Sequence, residues 1–181
     1  MQSKERMNAR ITIASPADTE GIQKVFHHTW LATYPNKEYG ITVEDIEERF
    51  NDAYTKERLD IRRRQITRPL PGELLLVAKV GGEVVGVCRV EKDAQKNELR
   101  GLYVLPAYQG QGIGRQLWAG VQNFFDPAKD TLVDVAVYNE NAIKFYSSLG
   151  FIDTGERFSK ERLRMKSGTV IPEMRMKMAA K

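Results

Sequence analysis

The sequence predicts a mixed α/β fold in which a central sheet of about seven strands is flanked by about four helices. Strand-like and helix-like segments follow one another in the order β-α-α-β-β-β-α-β-α-β-β. The run "TLVDVAVY" (131–138) is almost continuously apolar, as is typical of a strand buried on both faces. No repeat, low-complexity tract or change in composition divides the chain, so we expect one domain over residues 1–181.

In the first third of the chain, capping residues, proline and turn residues indicate where one strand and two helices begin and end. "ARITIAS" (9–15) alternates like a strand, and Ser15-Pro16 then resembles a helix N-cap followed by proline at the first helical position. Apolar residues recur at helical spacing to about residue 34. A second helix is expected after Thr42, with a possible break near Asn51-Asp52, and it ends before the turn "PLPG" (69–72).

The rest of the chain supplies most of the sheet. Gly81-Gly82 separates two apolar segments and predicts a tight hairpin. The next strand leads directly into a glycine-rich turn and a helix, "LPAYQGQGIGRQLW" (105–118). A short helix begins at Asn139 and stops at Gly150, and two strands, "FIDTGERF" (151–158) and "VIPEMRMKM" (170–178), end the chain.

The composition of the chain indicates the cellular compartment in which we expect the protein. The single cysteine, Cys88, excludes an internal disulfide and favours a reducing, cytoplasmic environment. The start "MQSKERMNAR" is too polar for a signal peptide, and the longest apolar run is too short to span a membrane. We therefore expect a cytoplasmic protein without membrane association. The net charge of +4 suits an anionic ligand but does not assign one.

The glycine-rich turn is the strongest functional signal. Gly110, Gly112 and Gly114 let the backbone approach a ligand closely, and the helix that follows presents unpaired N–H groups at its positive end. This arrangement is typical of a phosphate site. The spacing G-x-G-x-G fits neither the Rossmann turn nor the Walker loop, which requires a lysine.

Two motifs together resemble the GNAT superfamily of N-acetyltransferases. "LYVLPAYQGQGIGRQLW" (102–118) is similar to its acetyl-CoA motif (R/Q)-x-x-G-x-(G/A), and "VYNENAIKFYSSLGF" (137–151) is similar to the motif that follows. The order of strands matches along nearly the whole chain. The resemblance implies the GNAT fold, in which strands 4 and 5 splay apart, with acetyl-CoA as co-substrate and no metal.

The resemblance also implies roles for individual residues. It makes Tyr146 the general acid that protonates the CoA thiolate. The implied cofactor contacts are the pyrophosphate turn, the strand edge that pairs with pantetheine, often beside a bulge, and the start of the next helix: Leu102, Tyr103, Val104, Gln109, Gly110, Gln111, Gly112, Ile113, Gly114, Arg115 and Asn139. A backbone N–H near Val104 would stabilise the oxyanion.

Two carboxylates are candidates for the general base, which must take a proton from an amine that is mostly protonated at neutral pH. Glu98 stands eleven residues before Gln109, where some family members carry a catalytic glutamate. Asp134 interrupts an apolar strand, so it is either functional or paired. Water can also carry the proton. Cys88 is expected in the core rather than as a nucleophile, and the adjacent His27 and His28 lack a third metal ligand.

The acceptor is the least determined part of the prediction. Trp30 and Tyr34, at the end of the first helix, are expected to line its pocket, and "HTWLATY" (28–34) faintly resembles polyamine-type acetyltransferases. A small, polyamine-like amine is therefore favoured. A protein N-terminus or lysine side chain, or a sensor that binds acyl-CoA without turnover, are the alternatives. Nucleic acid is an unlikely partner because "RRR" (62–64) lacks interleaved aromatics, and a homodimer is possible.

Overall fold

The computed structural model describes residues 8–180, and their seven strands form one mixed sheet. The strands are β1 (Arg10–Ile13), β2 (Glu73–Val80), β3 (Glu83–Lys92), β4 (Asn97–Val104), β5 (Thr131–Ala136), β6 (Ile152–Arg164) and β7 (Val170–Met178). Their order across the sheet is β1-β2-β3-β4-β5-β7-β6. Neighbours are antiparallel except β4 and β5, which are parallel. The predicted mixed sheet of about seven strands is confirmed.

The described chain contains five α-helices, one more than expected. They are α1 (Thr19–Thr33), α2 (Val43–Arg49), α3 (Lys56–Thr67), α4 (Ile113–Gln122) and α5 (Glu140–Ser147). The segment after Thr42 is two helices rather than one. The chain leaves the helical conformation at Phe50, and Thr55 caps a new helix by accepting a hydrogen bond from the Arg58 N–H (3.3 Å).

Helix α2 begins where the sequence predicts. The Thr42 side chain accepts a hydrogen bond from the Asp45 N–H (3.1 Å), and the Asp45 carboxylate accepts one from the Thr42 N–H (3.0 Å). This capping box satisfies two backbone donors at the helix start. The capping box fixes the start of α2 near the end of α1. The end of α1 forms one wall of the site.

The helices bury the apolar residues of the sheet. Helix α1 packs on β3 and β4 through Ile22 and Val25, and α4 packs on β1 to β4 through Leu117 and Val121. These four side chains are completely buried. The resulting core holds β3 and β4 rigidly, so the edge of β4 that faces away from β3 is a firm support for a site.

Strands β4 and β5 separate partway along their length. They pair from Asn97↔Thr131 to Leu99↔Val133 and no further. Beyond that point β4 stays with β3, and β5 stays with β7. The register between β3 and β4 passes from Arg89↔Gly101 to Val90↔Leu99, so Arg100 is the extra residue of a β-bulge. The splay of strands 4 and 5 predicted from the family resemblance is confirmed.

The last hairpin is longer than predicted. Strand β6 does not end at Phe158 but continues to Arg164, with register shifts along its pairing with β7. The turn closes with a hydrogen bond from the Met165 N–H to the Thr169 carbonyl (2.7 Å) and with Gly168 at φ 94°. Among residues 8–180, no helix combines the length and the apolarity that a membrane crossing needs.

Candidate active site

The gap between β4 and β5 opens into a cleft of about 1330 Å³. Every site residue predicted from the sequence lines it. These residues are Glu98, Leu102, Tyr103, Val104, Gln109, Gly110, Gln111, Gly112, Ile113, Gly114, Arg115, Asp134, Asn139 and Tyr146. The fold therefore brings segments 98–115 and 134–146 together around one cavity.

The glycine turn meets the cleft at the start of α4. Gly110 has φ 73° and Gly112 has φ 86°, a left-handed conformation that disfavours any residue with a Cβ. Gly112 is the N-cap of α4, so the first N–H groups of the helix point out of the turn without intrahelical acceptors. This geometry fits a phosphate group.

Three other residues of the turn have distinct structural roles. A Cβ on Gly114 would lie 3.2 Å from the Phe145 ring, so this glycine allows α4 to pack closely against α5. The Gln109 side chain donates a hydrogen bond to the Val104 carbonyl (2.9 Å) and thereby ties the turn to the end of β4. Arg115 is exposed, donates to the Ser148 hydroxyl (2.8 Å), and adds positive charge at the mouth of the turn.

Helix α5 supplies the opposite wall of the cleft. Asn139 caps it by accepting a hydrogen bond from the Ala142 N–H (3.1 Å). Tyr146 is only 6% exposed and packs beside Phe145 and Phe151. Burial raises the pKa of the Tyr146 hydroxyl, so the group stays protonated at neutral pH. The protonated form is the one that can donate to a thiolate.

Both predicted base candidates are buried carboxylates held by cations. Glu98 is paired with Lys96 and with Arg100 (2.7 Å). Burial alone would raise the pKa of Glu98, but its hydrogen bonds and the charges of Lys96 and Arg100 outweigh burial and lower it. Glu98 is therefore ionised at neutral pH but is a weak proton acceptor.

Asp134, like Glu98, is a buried carboxylate paired with two cations. It accepts from the Arg175 Nε (2.9 Å) and from Lys160 (2.5 Å). These partners outweigh the effect of burial and lower the pKa of Asp134. The sequence left two hypotheses open for Asp134, a functional role or a charged partner. The structure shows the charged partners.

Aromatic residues of α1 and β4 meet at the end of the cleft away from the glycine turn. Trp30 and Tyr34 line it, as the sequence predicts, and their rings lie 4.4 Å apart. Burial raises the pKa of Tyr103, although hydrogen bonding to Tyr34 and Trp30 and the charge of Arg162 oppose this rise. The Tyr103 hydroxyl therefore belongs to a polar cluster with Arg162 and Glu173, which line the same cleft.

Sequence reasoning missed five charged residues that line the cleft: Arg100, Glu140 and Lys160, together with Arg162 on β6 and Glu173 on β7. Glu173 carries the same signal as Asp134, a carboxylate inside an apolar strand, and could have been found by the same argument. Arg162 could not, because β6 was predicted to end before it. Cys88 is fully buried in the core, as predicted, and residues 8–180 contain no group of His, Cys, Asp or Glu able to hold a metal.

A parallel strand pair that splays beside a glycine turn and a buried tyrosine is the architecture of an acyl-CoA-dependent transferase. A sequence model of the family described as Acetyltransferase (GNAT) domain matches residues 31–167. No curated protein sequence matches the chain. The protein belongs to the GNAT acetyltransferase family and is thus an acetyltransferase that depends on acetyl-CoA.

Solved structures agree with this fold. PaiA N-acetyltransferase from Thermoplasma acidophilum, in complex with coenzyme A, is 23% identical with a TM-score of 0.67, covering 96% of this chain and 99% of that chain. YncA, a putative acetyltransferase from Salmonella typhimurium with acetyl-CoA, is 23% identical with a TM-score of 0.62 and coverages of 97% and 95%. The ribosomal-protein-S18-alanine N-acetyltransferase from Escherichia coli is 14% identical with a TM-score of 0.64 and coverages of 96% and 95%.

Proposed function

We propose that this protein transfers the acetyl group of acetyl-CoA directly to the primary amine of a small acceptor molecule. The observation that carries the proposal is the divergence of β4 and β5 after Leu99 and Val133, in the cleft that also holds the glycine turn and Tyr146. The glycine turn proposed to bind phosphate, the free edge of β4 and the proposed proton donor Tyr146 thus line one cavity.

The residues present fit acetyl-CoA. The pyrophosphate would be held by the turn from Gln109 to Arg115, where Gly110 and Gly112 leave room for it. Pantetheine would pair with the backbone of residues 102–104, which lie on the part of β4 that β5 leaves unpaired, and would contact Asn139. When bound, acetyl-CoA supplies the activated thioester.

The protein's own groups would handle the charges of the reaction. A backbone N–H near Val104 would stabilise the negative charge that develops on the carbonyl oxygen. Tyr146 would donate its proton to the leaving thiolate. Direct transfer is favoured over an acetyl-cysteine route because Cys88 is fully buried, and burial raises the pKa of its thiol.

Contacts across the acceptor end of the cleft favour a small substrate over a protein. Tyr39 stacks on Tyr138 with ring centroids 5.1 Å apart, and the Tyr138 hydroxyl donates to the Tyr34 carbonyl (2.9 Å). The Arg49 guanidinium donates to the Arg162 carbonyl (2.8 Å). These contacts tie the α1–α2 connection to the segment after β5, and α2 to β6, beside Tyr34 and Tyr138 of the cleft lining.

The test is release of CoA thiol from acetyl-CoA across polyamines, amino acids, aminoglycosides and short peptides. We expect turnover with a small amine, a marked loss of kcat in Tyr146→Phe, and nearly unchanged acetyl-CoA affinity by calorimetry. Tyr54→Phe, an exposed tyrosine outside the cleft, is the control. Turnover with peptides alone would favour a protein acceptor, and acetyl-CoA binding without any turnover would favour a sensor.

A further inference from the structure

Two arginines at the acceptor end of the cleft lack a carboxylate partner. Arg162 lines the cleft, and the Arg49 guanidinium lies 4.8 Å from the centre of the Trp30 ring, beside the Arg162 backbone to which it donates. Within residues 8–180, neither guanidinium forms an ion pair. Both residues are solvent-exposed overall, and burial of the Arg49 guanidinium together with the nearby Arg162 charge lowers the pKa of Arg49.

Four other cations in or near the cleft form ion pairs. Lys96 and Arg100 hold Glu98, while Lys160 and Arg175 hold Asp134. Arg49 and Arg162 differ from these four cations because neither pairs with a carboxylate of the described residues. Guanidinium groups bind carboxylates through paired hydrogen bonds, so an anionic group on the acceptor would satisfy them.

One carboxylate oxygen of the pocket accepts no hydrogen bond from residues 8–180. Glu173 is 7% exposed, and its Oε2 is buried without a hydrogen bond from any described residue. Lys160 forms an ion pair with this oxygen at 3.2 Å, but it makes its short hydrogen bond to Asp134. A buried carboxylate of this kind is matched by an ammonium group.

Glu173 and Arg162 line the same cleft, and Arg49 adjoins it through its contact with the Trp30 ring. Arg162 and Glu173 both lie close enough to the Tyr103 hydroxyl to change its pKa, in opposite directions. Tyr103 in turn affects the pKa of Arg49 through its charge. The polar cluster around Tyr103 thus has an anionic side and a cationic side.

We propose that the acceptor is an amine that also carries a carboxylate, such as a free amino acid. Its carboxylate binds Arg49 and Arg162, and its ammonium group binds Glu173. This inference rests on the proposed acetyl transfer and names the acceptor class of the same site. A polyamine, with a second cation in place of the carboxylate, would meet the two free guanidiniums and be disfavoured.

The two protons that the acceptor nitrogen loses during acetyl transfer are both accounted for. The ammonium gives one proton to Glu173, and the free amine attacks the acetyl carbonyl carbon as the C–S bond breaks. The nitrogen loses a second proton when the amide forms. One of these two protons replaces the one that Tyr146 donates to the thiolate, and the other leaves through Glu173 to solvent.

The experiment compares amines that differ by the carboxylate alone: phenylalanine with phenethylamine, and methionine with 3-(methylthio)propylamine, beside putrescine and spermidine. We expect each amino acid to have the higher kcat/KM. In Arg162→Gln and Arg49→Gln this preference should fall by roughly 10- to 100-fold, mainly through the KM of the amino acid, with a smaller change in kcat/KM for the decarboxylated amines. Arg164→Gln, on β6 but paired with Glu161 outside the cleft, is the matched control.

Preference of the wild type for polyamines or decarboxylated amines would overturn the inference while leaving acetyl transfer in place. So would arginine variants with an unchanged preference. Calorimetry with the protein saturated with CoA separates the two proposals. Amino-acid binding that weakens in Arg162→Gln supports this acceptor site even without turnover, and no amino-acid binding together with no turnover would overturn both.

Discussion

Replacing Gly112 with alanine should weaken acetyl-CoA binding far more than it weakens the fold. The residue has φ 86°, and a Cβ in the left-handed region costs roughly 1–2 kcal/mol. The same Cβ would stand at the first turn of α4, where the N–H groups face the expected phosphate. Loss of one hydrogen bond to a charged group costs about 1.5–3 kcal/mol, or roughly 10- to 150-fold in affinity.

Gly155→Ala provides a control with the same backbone strain. Gly155 has φ 84°, and a Cβ built on it would meet nothing within 4 Å. It lies on exposed β6, outside the cleft. Thermal unfolding should therefore show similar destabilisation in the two variants.

Isothermal titration of each variant with CoA measures the difference between them. We expect Gly155→Ala to bind like the wild type and Gly112→Ala to bind at least about tenfold more weakly. Equal affinity in the two variants would refute the assignment of the phosphates to this turn. Equal loss in both would show that general strain, rather than contact at Gly112, weakens binding.

Further predictions concern the buried carboxylates. The pKa of Asp134 in the folded protein lies below its ordinary value of 3.8, so its stabilising contribution is complete above about pH 4 and is lost as pH falls through the lowered pKa. Acid unfolding followed by circular dichroism should accordingly be less steep in Asp134→Asn; an unchanged profile would contradict the ion-pair assignment. For catalysis, we expect Glu173→Gln to lower kcat more than Glu98→Gln, because Glu98 is held by two cations, whereas Glu173 pairs with Lys160 and its Oε2 accepts no hydrogen bond from the described residues. Steady-state kinetics with the best amine decides this, and a larger loss in Glu98→Gln would return the role of base to Glu98.

The parts of the site that are contiguous in sequence were predictable. The glycine turn, its helix and the α5 motif with Asn139 and Tyr146 each depend on residues within about fifteen positions, and local patterns report such structure well. The splay of β4 and β5 followed from the family resemblance. No local signal describes it, because it depends on where the pairing of two strands ends.

The acceptor end was not predictable for the same physical reason. Arg49 and Arg162 are 113 residues apart and meet because β6 extends six residues beyond its expected end. Which face of β6 and β7 each side chain occupies depends on register shifts that sequence alternation does not reveal. The break between α2 and α3 was foreseen as a possibility, and the Thr55 cap turns it into two helices.

The most direct test of acetyl transfer in this cleft is a crystal structure of the protein with CoA. We predict phosphates at the N-terminus of α4, pantetheine along residues 102–104, and the CoA sulfur within roughly 3–3.5 Å of the Tyr146 hydroxyl. Coenzyme bound outside the gap between β4 and β5, or a sulfur beyond the reach of Tyr146, would contradict the proposed chemistry.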